Sequence, residues 1–212
     1  MAKKVKKQTP LDNLPPRRRA ILIAAFDVLM EQGYAGASTL EIATRAKVSK
    51  RELYAEFGSK SGILEALIAT TADRMQAPLA LPDVADRPAF AAALTRYGMT
   101  ALAALCHPAV TAMNRLAVAE AGRTSELGHI LESSGREPNR LALGLMMKRA
   151  QDASFLGEGD PNRMSGQFFS LLFGDIPVRL MLGVIEPPAA AEIRQRAEAA
   201  TDALLKLYPA AT

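Results

Sequence analysis

The sequence predicts an all-α protein in which a small helix-turn-helix module at the amino end is joined to a larger helical domain. Three observations predict it. Alanine and leucine recur along the whole chain, β-branched runs are few, and no Asn-Gly or Asp-Gly pair offers a hairpin turn. Apolar residues return at i, i+3, i+4 and i+7 in one segment after another. Near the amino end, Ser38-Thr39-Leu40-Glu41 and Ser49-Lys50-Arg51-Glu52 form two capping boxes, the sequence mark of two short helices joined by a tight turn. With 212 residues, 49% hydrophobic and 23% charged, the chain suits a folded protein with a sizeable core.

Residues 1–16, with four lysines and three prolines and no helical period, read as a flexible basic arm. A helix starts at Arg17 and buries Ile21, Ala24, Ala25, Val28 and Leu29; Gly33 stops it. The first capping box opens a second helix, running to about Ala46 and burying Leu40 with Ala43 or Ile42. In each box the serine hydroxyl accepts from the glutamate amide, and the glutamate carboxylate reaches back to the serine amide. After a turn at Lys47-Val48, the second box opens a third helix that ends near Phe57, at Gly58.

Ser59-Lys60 starts a longer helix with Ile63, Leu64, Leu67, Ile68 and Met75 at helical spacing, and prolines punctuate a connection over 77–87. Further helices are expected over 88–106, 108–122, 125–134, 138–153, 161–184 and 189–208. The span 161–184 is apolar almost all round, with a kink expected at Pro177. The last helix carries a 4, 3, 4, 3 seam. These two helices offer more apolar surface than one core hides, so Phe168, Leu172, Ile176, Ile193, Ala197 and Leu204 are expected to face a second copy of the chain. The helix-turn-helix module is set at 17–62 and the larger helical domain, with its dimerisation surface, at 63–212.

The net charge of +4 is unevenly placed. Residues 1–60 hold 12 Lys and Arg against 6 Asp and Glu, whereas the remainder holds 14 against 16. Positive charge in the first quarter suits a polyanionic partner. On the third helix, Leu53 and Phe57 must face inward. At 100° per residue this leaves Arg51 and Ala55 outward, flanked by Glu52 and Tyr54, with Lys50 in the first turn. An arginine there has the fork for guanine, the small alanine permits close approach to a groove, and a tyrosine hydroxyl suits phosphate.

From Arg17 to Ala69 the chain resembles the amino-terminal module of the TetR (tetracycline-repressor) family. The likeness runs through R-x-x-I-L-x-A-A, G-Y-A-G-A-S-T-L-E-I-A and A-K-V-S-K-R-E-L-Y-A-E-F-G-S-K. It implies a homodimeric repressor that reads a palindromic double-stranded DNA operator and is released by a small, apolar effector bound in the carboxy-terminal domain. By position it also implies DNA contacts from Ser38 and Thr39 at the start of the second helix. Ser49, Lys50 and Arg51 would lie at the groove, Tyr54 on phosphate, and Lys60 on the backbone. Glu56 departs from the pattern, since a carboxylate there repels DNA unless a neighbouring cation pairs with it.

For the effector, Met99, Met113, Arg115 and Met146 are the candidate ligand-facing residues, Arg115 being better suited to an ion pair with Glu120 or another carboxylate. No catalytic motif is present, so no enzyme or cofactor is expected. His107 and His129 lack companions at metal-ligand spacing, so no metal is expected. A single cysteine, Cys106, fits a reducing cytoplasm. No signal peptide follows the basic start, and Tyr97–Asn114, the longest uncharged stretch, is broken by His107-Pro108, so no membrane span is expected.

Overall fold

The computed structural model describes residues 14–76 and 86–210, and among these there are helices and no strand. Most of the arm expected over 1–16 and most of the connection expected over 77–87 lie outside the described residues, as does the side chain of Met75.

Helix α1 (Pro16–Gly36) opens with proline in its first turn, where the missing amide costs nothing. It buries Ile21, Ala24, Ala25, Val28 and Leu29 as the spacing requires, and Leu22 as well. Gly33 interrupts this helix without ending it. Its backbone, at φ 72° and ψ 175°, suits glycine alone, and one more turn follows across the kink to Gly36. Helix α2 (Thr39–Ala46) is capped on one side only. Ser38 accepts from the Glu41 amide, but the Glu41 carboxylate turns forward to Arg45 at 2.7 Å instead of back. Because Ile42 and Ala43 hold α2 against the core, Leu40, nearly half a turn from Ile42, is 62% exposed rather than buried.

Lys47, in the left-handed region at φ 55°, makes the tight turn into α3 (Lys50–Phe57). Here both halves of the capping box form between Ser49 and Glu52, and Gly58 ends the helix at φ 74°. Helix α4 (Lys60–Gln76) follows. The core made by α1–α4 is completed from further along the chain by Met113 of α6 (Pro108–Glu120) and by Leu127 and Ile130 of α7 (Glu126–Leu131). The first core therefore extends past residue 62 in sequence.

A second core is built from α5 (Arg87–Leu105), α8 (Glu137–Asp152), α9 (Pro161–Phe173), α10 (Ile176–Leu182) and α11 (Ala190–Leu207). Three sequence expectations change here. The helices expected over 125–134 and 138–153 are not separated at Gly135 and Pro138: a π-helical turn over Glu132–Arg136 carries α7 directly into α8. The span 161–184 is two helices, broken at Gly174 (φ 50°), while Pro177 sits harmlessly in the first turn of α10. Third, the residues expected to face a partner chain face this one. Phe168, Leu172, Ile176, Ala197 and Leu204 are buried within the protomer, and Ile193 packs partly buried against them. Helix α11 packs on α5 and α9, and α9 on α8, so the chain itself covers these stripes. Each of the large side chains fully buried here, Phe168, Leu172, Ile176 and Leu204, contributes about 1.5–3 kcal/mol by burial. The apolar residues left exposed on α9, α10 and the turn beyond are Leu171, Val178, Leu182 and Val184.

Candidate nucleic-acid interface

Helix α3 is short, and isolated it would not persist. Its local caps and one fully buried side chain, Leu53, fix it in place, with Phe57 half-buried behind. Ser49 Oγ accepts from the Glu52 amide at 3.1 Å, while the Ser49 amide and hydroxyl both donate to Glu52 Oε2, at 2.9 and 2.8 Å. Together with Arg17 nearby, these bonds hold the Glu52 carboxyl below its ordinary range. The Ser49 hydroxyl is thus engaged in the cap.

The outward face carries Lys50, Arg51, Tyr54 and Ala55, all exposed. Tyr54 Oη lies 3.0 Å from Thr39 Oγ1, so a hydroxyl from each of the two short helices meets at one point. The Lys50 ammonium lies 5.7 Å from the centre of the Tyr54 ring. Ser38, which caps α2, is exposed beside Thr39. Both acids of α3 are turned toward α1: Arg17 pairs with Glu52 at 3.3 Å and Arg18 with Glu56 at 2.6 Å. The Arg18 guanidinium also lies over the Phe57 ring, 4.8 Å from its centre. The cation that Glu56 requires is therefore supplied by α1. Only the approach of α1 to α3 gives Arg17 and Arg18 these carboxylates.

Lys60 donates to the Tyr34 carbonyl and stands 4.2 Å from the centre of the Tyr34 ring. Burial pulls its pKa down, opposed by the carboxylates of Glu126 and Glu120. Around it lies a polar cluster that ties α1 and α4 to α7. Ser61 donates to Glu126, and burial, reinforced by a hydrogen bond to Glu126, pushes the Tyr34 hydroxyl up to about 12.

The fold also holds a cavity of about 550 Å³, a size suited to a small organic molecule. Phe26 of α1 and Leu67 and Ile68 of α4 form one wall, and Phe169 and Phe173 of α9 another. The two phenylalanine rings stack on each other at 5.2 Å. Of the four ligand-facing candidates, Met113 lines this cavity. Met99 and Met146 instead belong to the second core, packed under α9 and α11. Among the described residues Arg115 has no carboxylate partner: it donates to the carbonyls of Leu180 (2.6 Å) and Met181 (2.8 Å), capping the end of α10. The lining residues that the sequence reading missed are distant in sequence. Arg136 and Arg140, one turn apart beside Gly135 and Pro138, were the available signal.

His107 accepts from the Ala109 amide at the start of α6. Among the described residues no group of three or more His, Cys, Asp or Glu side chains is placed to hold a metal. Burial is the main cause that pushes the Cys106 thiol up to about 11, which leaves it an unreactive small hydrophobe. Among the described residues no single helix is long and apolar enough to cross a membrane.

Residues 21–67 match the family model described as bacterial regulatory proteins, tetR family, and residues 92–210 match that of the AefR-like transcriptional repressor, C-terminal domain. Among solved structures, a TetR transcriptional regulator from Agrobacterium tumefaciens is similar with 30% identity and a TM-score of 0.76, over 92% of this chain and 95% of the other. The flavonoid-responsive regulator FrrA is similar with 30% identity and a TM-score of 0.74, over 92% and 98%. An uncharacterized HTH-type transcriptional regulator of Bacillus subtilis, YdeS, is 36% identical over 80 residues, which span 37% of this chain and 40% of YdeS. The curated relatives are thus matched over less than half of their length. These relatives are regulators of transcription and not enzymes.

Proposed function

The chain belongs to the TetR family of transcriptional regulators, with that family's DNA-binding domain, and from this we propose that it is a homodimeric repressor released from a palindromic operator by a small effector. The observation that carries the reading is the outward face of α3. Arg51 and Lys50 stand clear on a helix whose two acids are held away by Arg17 and Arg18. In this reading Arg51 and Lys50 meet base edges, while Ser38, Thr39 and Tyr54 bind phosphate. Ser49 sets the helix, and Lys60 adds a backbone contact with the donors that Tyr34 leaves free.

Exposed Leu171, Val178, Leu182 and Val184 supply the apolar face for a second copy, in place of the buried residues named from the sequence. The cavity supplies the effector site, and the aromatic wall together with the flavonoid-responsive relative supports an aromatic effector. A ligand there touches Leu67 and Ile68 of α4, whose first residues adjoin α3. It releases DNA by the amount that it prefers the geometry unable to span both half-sites.

Selection of bound sites from a random DNA pool tests the reading. The expected result is one inverted repeat, bound at least ~10³-fold more tightly than scrambled DNA. A pool that emerges without a preferred sequence refutes it in favour of non-specific binding.

A further inference from the structure

The cavity is apolar over most of its wall, yet its charged residues are not balanced. Three charged side chains line it, Glu132, Arg136 and Arg140, leaving a net positive charge. Arg136 is held by Glu132 one turn away, at 3.6 Å and largely exposed. For the Arg140 guanidinium no ion pair or hydrogen bond is found among the described residues, although its backbone carbonyl accepts from Ser165 and so ties the residue to α9. The two arginines are four residues apart and share one helical face. In the same cavity, the stacked rings of Phe169 and Phe173, on the helix to which Arg140 is tied, supply an apolar surface.

We propose that this cavity takes a flat aromatic acid in its ionised form, with the rings against Phe169 and Phe173 and the acid group on Arg140, flanked by Arg136. The proposal rests on the reading of the cavity as the effector site. A guanidinium beside an apolar wall is suited to this ligand, because it forms charge-assisted, bidentate bonds with an acid while the rings leave water. The acid end lies next to the π-helical turn, a rare element that favours functional sites. That turn also touches α4, the helix that follows the recognition helix: a Cβ on Gly135 would stand 3.1 Å from Ile68 Cγ2. A ligand that pulls on Arg136 or Arg140 therefore acts on a segment with little room to move independently of α4.

Two fluorescent probes test this with the full chain: anilinonaphthalene sulfonate and its neutral parent, N-phenylnaphthylamine, which share one aromatic body. Arg140→Gln is expected to weaken the sulfonate by roughly tenfold or more and to change the neutral probe by less than about twofold. Val110→Trp, which fills the cavity, is expected to abolish both; Asn114→Trp serves the same purpose should the first variant not fold. If Arg140→Gln leaves the sulfonate unchanged while the tryptophan variants abolish both probes, the acid assignment is overturned and the cavity stands. If folded tryptophan variants bind both probes like the wild type, the reading of the cavity as a ligand site fails, and this proposal with it.

Discussion

Arg51→Ala separates base reading from simple attraction to DNA. Arg51 is exposed on α3, and its neighbours Glu52 and Glu56 are taken up by Arg17 and Arg18, so no ion pair of Arg51 is found among the described residues. Truncating it disturbs neither the cap nor Leu53, and stability should stay within about 0.5 kcal/mol of the wild type. A lost bidentate contact to guanine costs about 1–3 kcal/mol, or roughly 5- to 150-fold in operator affinity. Binding to scrambled DNA loses only the share due to one positive charge, which salt reduces. Fluorescence anisotropy on both DNAs at two salt concentrations, with a thermal melt of each protein, gives all these quantities. An equal loss on both DNAs would refute base reading by Arg51 and leave it a phosphate contact.

Glu56→Gln removes a negative charge from the DNA side while Arg18 remains, so affinity for every DNA sequence should rise by a similar factor; a gain confined to the operator would contradict this. Gly33→Ala forces a side chain into a conformation at φ 72°, with Glu120 Oε1 only 3.0 Å from the new Cβ, and should cost about 1–3 kcal/mol in a denaturant melt. An unchanged midpoint would show that the kink is not required. Acid should loosen both α3 and the contact of α1 and α4 with α7. Glu52, through Ser49 and then Arg17, and Glu126, through Ser61 and then Tyr34, have folded pKa values below the ordinary 4.5. Their stabilising effect is therefore complete above 4.5 and lost as pH falls through the lower folded values. Melting temperatures measured down to about pH 3 should fall less steeply for a Glu52→Gln, Glu126→Gln double variant, and parallel curves would exclude these two carboxylates as the cause.

The sequence by itself determined what local bonds and short spacings decide. The cap of α3, the turn at Lys47-Val48, the end at Gly58, and inward Leu53 against outward Arg51 all depend on residues within one or two turns of each other. Their geometry follows from the 100° step and from caps that close over three residues. Only the tertiary structure decided what covers each apolar face, because a stripe shows that it must be buried without showing against what. Thus Phe168, Leu172 and Leu204 met α5 and α8 of their own chain instead of a partner, Leu40 turned outward once Ile42 and Ala43 were seated, and Arg115 found the end of α10 instead of a carboxylate. The pairing of Arg18 with Glu56 and the walls of the cavity likewise join residues dozens of positions apart. Such contacts follow from how helices cross, which no single helix encodes.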